Sequence, residues 1–478
     1  MRIVRPFVCL CLVATPVGAQ LPLDSLVARF YEAPAHRLQP AWIQGTGLTP
    51  QARALLDAIE RAGDEGSLDA LSHRHLLPDE IWRLDTLLTR SFLSYAWRAA
   101  HGRVEPSRVD SSWTAATDGD DVVGWLESVS NADDANALVQ QLEPAEAGYA
   151  ALLAAWRRYQ HIDRQGGWPE PLAERLAAEG YDTTAGVAAA VWQFQELHGL
   201  ETDGIVGPAT REELAVSPGA RARQIALNLE RWRWLPRSLG DRYIVVNSAR
   251  FQLDLVENGA VTFSTRAVVG RPDWPTPIVS ASATHIIFRP LWRVPQAIAT
   301  QELLPIMRRD PTYLARAGIR VFGDSSRNRA ELNPRTIDWT AVTESTFAYQ
   351  LVQEPGPDNP LGGMKLVFWT PFSVFIHDTP IRPSFTEPTR AFSHGCVRVE
   401  HAESLAARLL PSWPADSVHA AMRTGRQRWV QLPDPIAVHL VYWTAWVTED
   451  GLVAFGADPY AWDAKLAQAL EPQGEMIP

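Results

Sequence analysis

Tyr243-Ile244-Val245-Val246-Asn247-Ser248-Ala249-Arg250-Phe251-Gln252-Leu253-Asp254-Leu255 is where the period of the chain changes. Upstream, apolar residues recur at helical spacing. Here Ile244 and Val246, then Phe251, Leu253 and Leu255, recur at every second position, the pattern of a half-buried strand. Val261, Phe263 and Ala267-Val268-Val269 continue it, with Asn258-Gly259 and Gly270-Arg271-Pro272 as the turns between. Further strand-like runs lie at 284–289, 347–353, 365–369, 374–377 and 436–447, with a helical interruption at 297–317. Short strands separated by turn signals predict a β-rich domain over 241–470, a sandwich or partly closed barrel.

Working back toward the N-terminus, 219–240 reads as a connecting helix of the scaffold with Ile225, Leu229, Trp232 and Leu235 inward. Its Arg231-Trp232-Arg233-Trp234 cluster is expected to be helix packing with solvated arginines rather than a sugar or anion site. Within 166–218, Leu172–Glu179 is a short helix stopped by Gly180, and Val187–Leu197 is a second with Val187, Val191, Phe194 and Leu197 on one stripe. Asp203-Gly204-Ile205-Val206-Gly207-Pro208 is a turn opening a third helix through Leu214, with Pro at the first helical position. The run Phe194-Gln195-Glu196-Leu197-His198-Gly199-Leu200 followed by 203–210 resembles the three-helix peptidoglycan-binding module. Before it, 20–165 has helical spacing throughout, as at 51–59, 87–100 and 149–159, and reads as a helical scaffold domain. The fold class is thus multidomain α+β.

Residues 1–19 carry Arg2 and Arg5, the apolar run 7–14 and the small residues Val17-Gly18-Ala19, the layout of a secretory signal peptide. The run is too short to span a bilayer, and so is 437–447, which His439 interrupts; no membrane span is expected. The formal charge is −11, and loss of Arg2 and Arg5 makes the exported chain more acidic still. Such a balance argues against nucleic acid as a partner, which rewards clustered basic charge. Nearly all basic residues are arginine, with lysine at 365 and 465 alone. The 19 tryptophans are expected to pack cores rather than stack sugars.

Cys9 and Cys11 leave with the signal, so Cys396 is the cysteine that remains. Exported proteins pair their cysteines or dispense with them. A lone thiol in Ser393-His394-Gly395-Cys396-Val397-Arg398 therefore reads as a nucleophile. In an extended segment His394, Cys396 and Arg398 would project to one side. Gly395 permits a tight turn or close substrate approach. A thiol near neutrality is a few per cent thiolate and needs a base. His394 is near in sequence but badly angled from the same strand, whereas His377, ending the 373–377 run, suits a neighbouring strand. His377 is the favoured base. Asp378 begins an Asp-Thr-Pro turn and is expected to serve that turn rather than a triad. Arg398 suits a substrate carboxylate or carbonyl, and the Gly395 and Cys396 backbone N–H groups are candidates for an oxyanion hole. The His and Cys spacing matches no zinc pattern, and neither metal nor cofactor is expected.

His377 followed by Ser393-His394-Gly395-Cys396-Val397-Arg398 resembles the L,D-transpeptidase family. Pro290–Pro295, Asp310–Leu314, Pro355–Lys365 and His377–Pro380 resemble its large periplasmic subgroup, which joins a scaffold, a peptidoglycan-binding module and a catalytic β domain with a helical capping insertion. The resemblance implies Cys396 as nucleophile, His377 as general base, and Ser393, His394, Gly395 and Arg398 lining the site, with about 292–322 as the cap. Pro360 stands where that subgroup has a small residue. The implied reaction takes a tetrapeptide stem of peptidoglycan as donor, expels D-alanine, and resolves a thioester with the side-chain amine of a second stem into a 3→3 cross-link. Thioester capture by carbapenems is implied too, as is a periplasmic location. The acceptor stays open: water, a D-amino acid or a wall-linked lipoprotein would give an L,D-carboxypeptidase, an exchanger or an attaching or releasing enzyme. A non-catalytic wall scaffold with a vestigial site, and a sortase-like or papain-like peptidase, are the remaining readings. Oligomeric state is open.

Overall fold

The computed structural model describes residues 23–34, 36–45, 47–61, 78–116, 121–323 and 330–471. The expected signal peptide at 1–19, with Cys9 and Cys11, lies outside them. The chain divides into two compact units, residues up to 100 with 119–143 in one, and 101–118 with residues from 144 onward in the other.

The first unit packs the helices Leu23–Glu32, Pro50–Arg61, Pro78–His101, Val122–Ser130 and Ala135–Gln140. Phe30, Trp42, Leu88, Phe92 and Leu126 fill its core. Asp85 is fully buried and satisfied, its carboxylate accepting from the Trp42 N–H at 2.8 Å and the Tyr31 hydroxyl at 2.6 Å. A buried polar side chain is accommodated when its oxygens are hydrogen-bonded in this way.

In the second unit, the sheet that begins at 242 closes on itself. Its strands are β1 Arg242–Asn247, β2 Gln252–Glu257, β3 Ala260–Gly270, β4 Val279–Phe288, β5 Met364–Phe368, β6 Ile376–His377, β7 Ala391–Ser393, β8 Val397–Val399 and β9 Arg428–Val441. The order is β7-β3-β8-β6-β5-β4-β9-β1-β2, and β2 also pairs with β3, so a ring of eight strands forms with β7 beside it. Closure removes the exposed edges an open sheet would carry. Alternation sends Ile244, Val246, Leu253, Leu255, Leu366, Ile376 and Val397 into the interior, all with no exposed surface. The expected strand at 436–447 differs: β9 starts at Arg428 and ends at Val441, and Ala445–Val447 pairs separately with Val453–Phe455. Its first half is hidden in the sequence by Pro433 and Pro435, which lie where the register with β4 shifts between Gln431 and Ile436.

Between β4 and β5 an insertion builds its own small sheet, Trp292–Arg293, Tyr349–Gln353, Ile319–Gly323 and Glu331–Leu332 in that order. Val294, Leu304, Met307, Val321, Trp339 and Leu351 form its core. It therefore runs well past the 292–322 expected from the resemblance, since the strand that completes it returns only at 349.

Helix Pro218–Trp232 packs with helix Ala147–Arg164, and both pack on Val245, Val256 and Val441 of the barrel. Trp232 stacks on Trp443 with centroids 4.2 Å apart. Arg231 is not solvated as expected: it is 2 % exposed and donates to Asp463 at 2.6 Å. An acid more than 200 residues away replaces the water that local spacing suggested. Helices Leu172–Glu179, Val187–Leu197 and Pro208–Leu214 enclose Leu176, Val191 and Phe194. Gln195 is buried and pins the following turn, its amide donating to Asp203 at 2.8 Å and to the Ile205 carbonyl at 2.9 Å while accepting from the Gly204 N–H at 2.8 Å. Gly180 ends the first helix with φ at +105°, a conformation open to glycine.

Candidate active site

β6 and β8 are short, parallel and adjacent, in the register Ile376↔Val397 and His377↔Arg398. Val397 donates its N–H to the Phe375 carbonyl at 2.8 Å. Ile376 and Val397 point into the barrel, so the period of two turns His377, Phe375 and Arg398 to the opposite face, and Cys396 enters β8 beside them. This pairing unites two segments that lie 19 residues apart.

His377 is buried, with 4 % of its surface exposed. Its Nδ1 stands 2.5 Å from the Asp378 carbonyl oxygen. A carbonyl only accepts, so Nδ1 carries the hydrogen and Nε2 keeps its lone pair. Burial above all, then the Arg398 charge, lowers the imidazole's pKa to about 3. The ring is thus neutral, with Nε2 unprotonated. Asp378 is not free to act as a third member: its carboxylate accepts from the Gly363 N–H at 2.7 Å and from Arg382 at 2.6 Å. A backbone carbonyl does the orienting that an acid would do in a triad.

Cys396 is part-exposed. Burial pushes its thiol pKa up, while the Phe375 backbone N–H and the Lys365 and Arg398 charges pull it down. The turn that carries it is held from several directions. Ser393 is buried, and its hydroxyl donates to the Cys396 carbonyl and accepts the Gly395 N–H at 3.2 Å. The Thr276 hydroxyl donates to the Gly395 carbonyl at 2.8 Å and accepts the Gly270 N–H at 2.9 Å. Tyr460 in turn donates to the Gly270 carbonyl at 2.6 Å. The Gly395 N–H is committed to Ser393, so the expectation that it serves an oxyanion hole is not met.

His394 is the main departure from the sequence reading. Gly395 has φ at +96°, which breaks the strand between Ser393 and Val397 and with it the alternation that would have aligned His394 with Cys396. The imidazole instead meets the Trp274 ring at 4.3 Å and Glu302 of the insertion, with Nε2 2.5 Å from the carboxylate. Arg271 donates to the same Glu302 oxygen at 3.2 Å. Burial raises the Glu302 pKa, but these two partners outweigh it and leave the carboxyl below its usual range. Trp274, Thr276, Glu302, Lys365, Phe375 and Tyr460 were not among the residues expected here. Only Lys365 carried a signal in the sequence, as one of two lysines.

Among the described residues no group of three His, Cys, Asp or Glu side chains is placed to hold a metal, and no helix is long and apolar enough to cross a membrane. What the arrangement can do chemically is form a thiolate next to a neutral, oriented imidazole under two cations, the equipment for acyl transfer.

Three family models match the chain. Residues 241–420 match the "L,D-transpeptidase catalytic domain", 172–214 the "Putative peptidoglycan binding domain" and 25–155 the "Scaffold domain". A curated Haemophilus influenzae protein named "Putative L,D-transpeptidase" is 28 % identical over 246 residues, 51 % of this chain and 49 % of that one. The matched part thus spans about half the relative's length. Among solved structures, L,D-transpeptidase 3 from Mycobacterium tuberculosis is 11 % identical, covering 42 % of this chain and 60 % of that chain with a TM-score of 0.21. The L,D-transpeptidase from Xylanimonas cellulosilytica is 17 % identical, covering 57 % and 95 % with a TM-score of 0.20. Residues 241–420 are thus similar to the L,D-transpeptidase catalytic domain, and a peptidoglycan-binding domain match and a scaffold domain match precede them.

Proposed function

We propose that the protein is a cysteine L,D-transpeptidase that forms 3→3 cross-links between peptidoglycan stems outside the cytoplasm, with Cys396 as nucleophile and His377 as general base. The observation that carries this reading is the β6–β8 register, which sets His377 and Arg398 side by side next to Cys396, with the histidine Nδ1 tied to a carbonyl.

The Cys396 Sγ attacks the carbonyl after the third residue of a tetrapeptide stem as its proton passes to His377 Nε2. Positive charge on the imidazole is opposed by burial, but the thiolate formed beside it offsets that cost. The tetrahedral intermediate collapses with cleavage of the peptide C–N bond, and His377 returns the proton to the departing D-alanine amine. The thioester is then attacked by the side-chain amine of a second stem. His377 takes a proton from that nitrogen and gives it back to sulfur as the C–S bond breaks. Arg398, part-exposed on the same face, is suited to a stem carboxylate. The 172–214 module raises the local concentration of a polymeric substrate.

The test is mass spectrometry of the full chain with soluble disaccharide-tetrapeptide, wild type against Cys396→Ala. Cross-linked dimer, free D-alanine and an acyl adduct on Cys396, all absent in the variant, support the reading. Tripeptide without dimer makes water the acceptor and the enzyme a carboxypeptidase. Retention of turnover by Cys396→Ala removes Cys396 from the mechanism.

A further inference from the structure

One charged side chain on this face has no part in the steps above. β5 pairs with β6 in the register Lys365↔His377, and β6 pairs with β8 in the register His377↔Arg398. Side chains opposite one another on adjacent strands share a face, so Lys365, His377 and Arg398 form one row, and Phe375 and Cys396 lie beside it. Lys365 Nζ stands 3.3 Å from the centroid of the Phe375 ring. Among the described residues no carboxylate hydrogen-bonds or ion-pairs with it. The other lysine, Lys465, meets Asp110 at 2.5 Å. A part-buried ammonium set on a ring face, with no carboxylate to neutralise it, is open to an anion that forms nearby.

The anion coupled to it is the Cys396 thiolate. Burial lowers the Lys365 pKa to about 8, and Cys396 is the charge that pushes it back up. Of the two cations that lower the thiol's pKa, Lys365 acts more strongly than Arg398. The remaining groups on this face are accounted for. His377 and Arg398 lie across β6 and β8, while β4 presents Ile287 opposite Lys365 and His285 opposite Val367, the latter bonded to Thr284 at 2.9 Å. From the insertion, Glu302 is occupied by His394 and Arg271.

We propose that Lys365 is a positioning residue for the nucleophile: its ammonium, seated on the Phe375 ring, holds the thiolate of Cys396. The proposal rests on Cys396 being the nucleophile, but not on which acceptor resolves the acyl-enzyme. Lysine differs here from arginine in one testable way. Arginine stays charged at every accessible pH, whereas Lys365 releases its proton near pH 8 and then stops supporting the thiolate. The two titrations are therefore coupled.

The experiment is the rate of Cys396 alkylation by iodoacetamide from pH 5 to pH 10, read on the peptide that carries Cys396, in the full chain. Wild type, Lys365→Met and Lys365→Arg are compared, with near-ultraviolet circular dichroism on each. Lys365→Met is expected to raise the alkylation midpoint by about one pH unit and to slow the reaction at pH 7 about tenfold. Lys365→Arg is expected to keep the wild-type rate at pH 7. An unchanged midpoint in Lys365→Met, or equal displacement in both variants, overturns the proposal, because equal displacement means that shape and not charge matters. Should Lys365→Met not fold, Lys365→Arg decides alone: a midpoint displaced upward despite the retained charge overturns it, and a wild-type midpoint supports it. Alkylation needs no substrate, so this result and the transpeptidation result stand or fall separately.

Discussion

His377 and His198 are both buried and both held neutral, with pKa values lowered to about 3 and about 4. Burial is the leading cause in each, and an arginine stands near each, Arg398 beside the first and Arg221 beside the second. Their uses differ because of what surrounds the rings. His377 donates from Nδ1 to a carbonyl and sits on the strand paired with the one that follows Cys396. His198 lies on the Phe194 ring at 3.9 Å, places Nδ1 2.7 Å from Glu213, and buries Nε2 with no partner. Glu213 also pairs with Arg221, and Arg175 with Glu179, so this second cluster ties charges together inside a core. A displaced pKa marks buried ionisable groups in general. Chemistry needs a reactive neighbour as well.

The largest expected effect divides the two histidines. His377→Ala should lower turnover of soluble disaccharide-tetrapeptide by about 10² to 10⁴-fold with a small change in Tm. His198→Ala should leave that turnover near wild type while destabilising the fold by about 1–3 kcal/mol, visible as a lower Tm. Comparable losses of turnover in both variants would break the distinction. Gly395→Ala comes next. A side chain at φ of +96° costs about 1–2 kcal/mol, and its Cβ would stand 3.4 Å from the Pro275 carbonyl oxygen. On the proposed role of Cys396, the displaced thiol should cost roughly 10 to 100-fold in kcat, with Tm lowered by a few degrees, whereas Gly199→Ala, at positive φ but with open space, should lower Tm alone.

The smallest effect concerns pH. Burial raises the Glu179 pKa to about 7 from an ordinary 4.5. The folded state then holds the proton more tightly than the unfolded one, so the stability linked to Glu179 is full below about pH 4.5 and falls as pH rises through 7. His198 has the opposite sign, its linked stability full above pH 6.5 and lost as pH falls toward 4. Glu179→Gln isolates the first effect. Its Tm should change less between pH 5 and pH 8 than that of wild type, as read by calorimetry. A wild-type chain and a variant with equal slopes would remove Glu179 from the linkage.

Much of the architecture was legible because it is local. The three helices at 172–214 follow from apolar stripes, Gly180 as a stop and Pro208 as a start. The change of period at Tyr243 announces strands within a few residues. His377 and Cys396 could be paired because they lie only 19 residues apart, although the connection is a crossover through Ala391–Ser393 that joins parallel strands. Other features left no local mark. Arg231 finds Asp463, and helix Ala147–Arg164 finds the barrel, through contacts that no window of sequence contains. Thr276 and Tyr460 hold the turn before Cys396 from far along the chain, and nothing in their neighbours distinguishes them.

The residues by themselves determined which side chains were chemical candidates, the type of the strongly periodic elements, and the module that precedes the barrel, since these depend on side-chain chemistry and on the spacing of apolar groups. Only the tertiary structure decided which of those side chains share a face. Gly395 turns His394 away to Glu302, although the strand pattern had aligned it with Cys396. The antiparallel register of β5 on β6 brings Lys365 into the row with His377 and Arg398. Register is a property of two strands at once, and a shift of one residue would reverse every side chain in it.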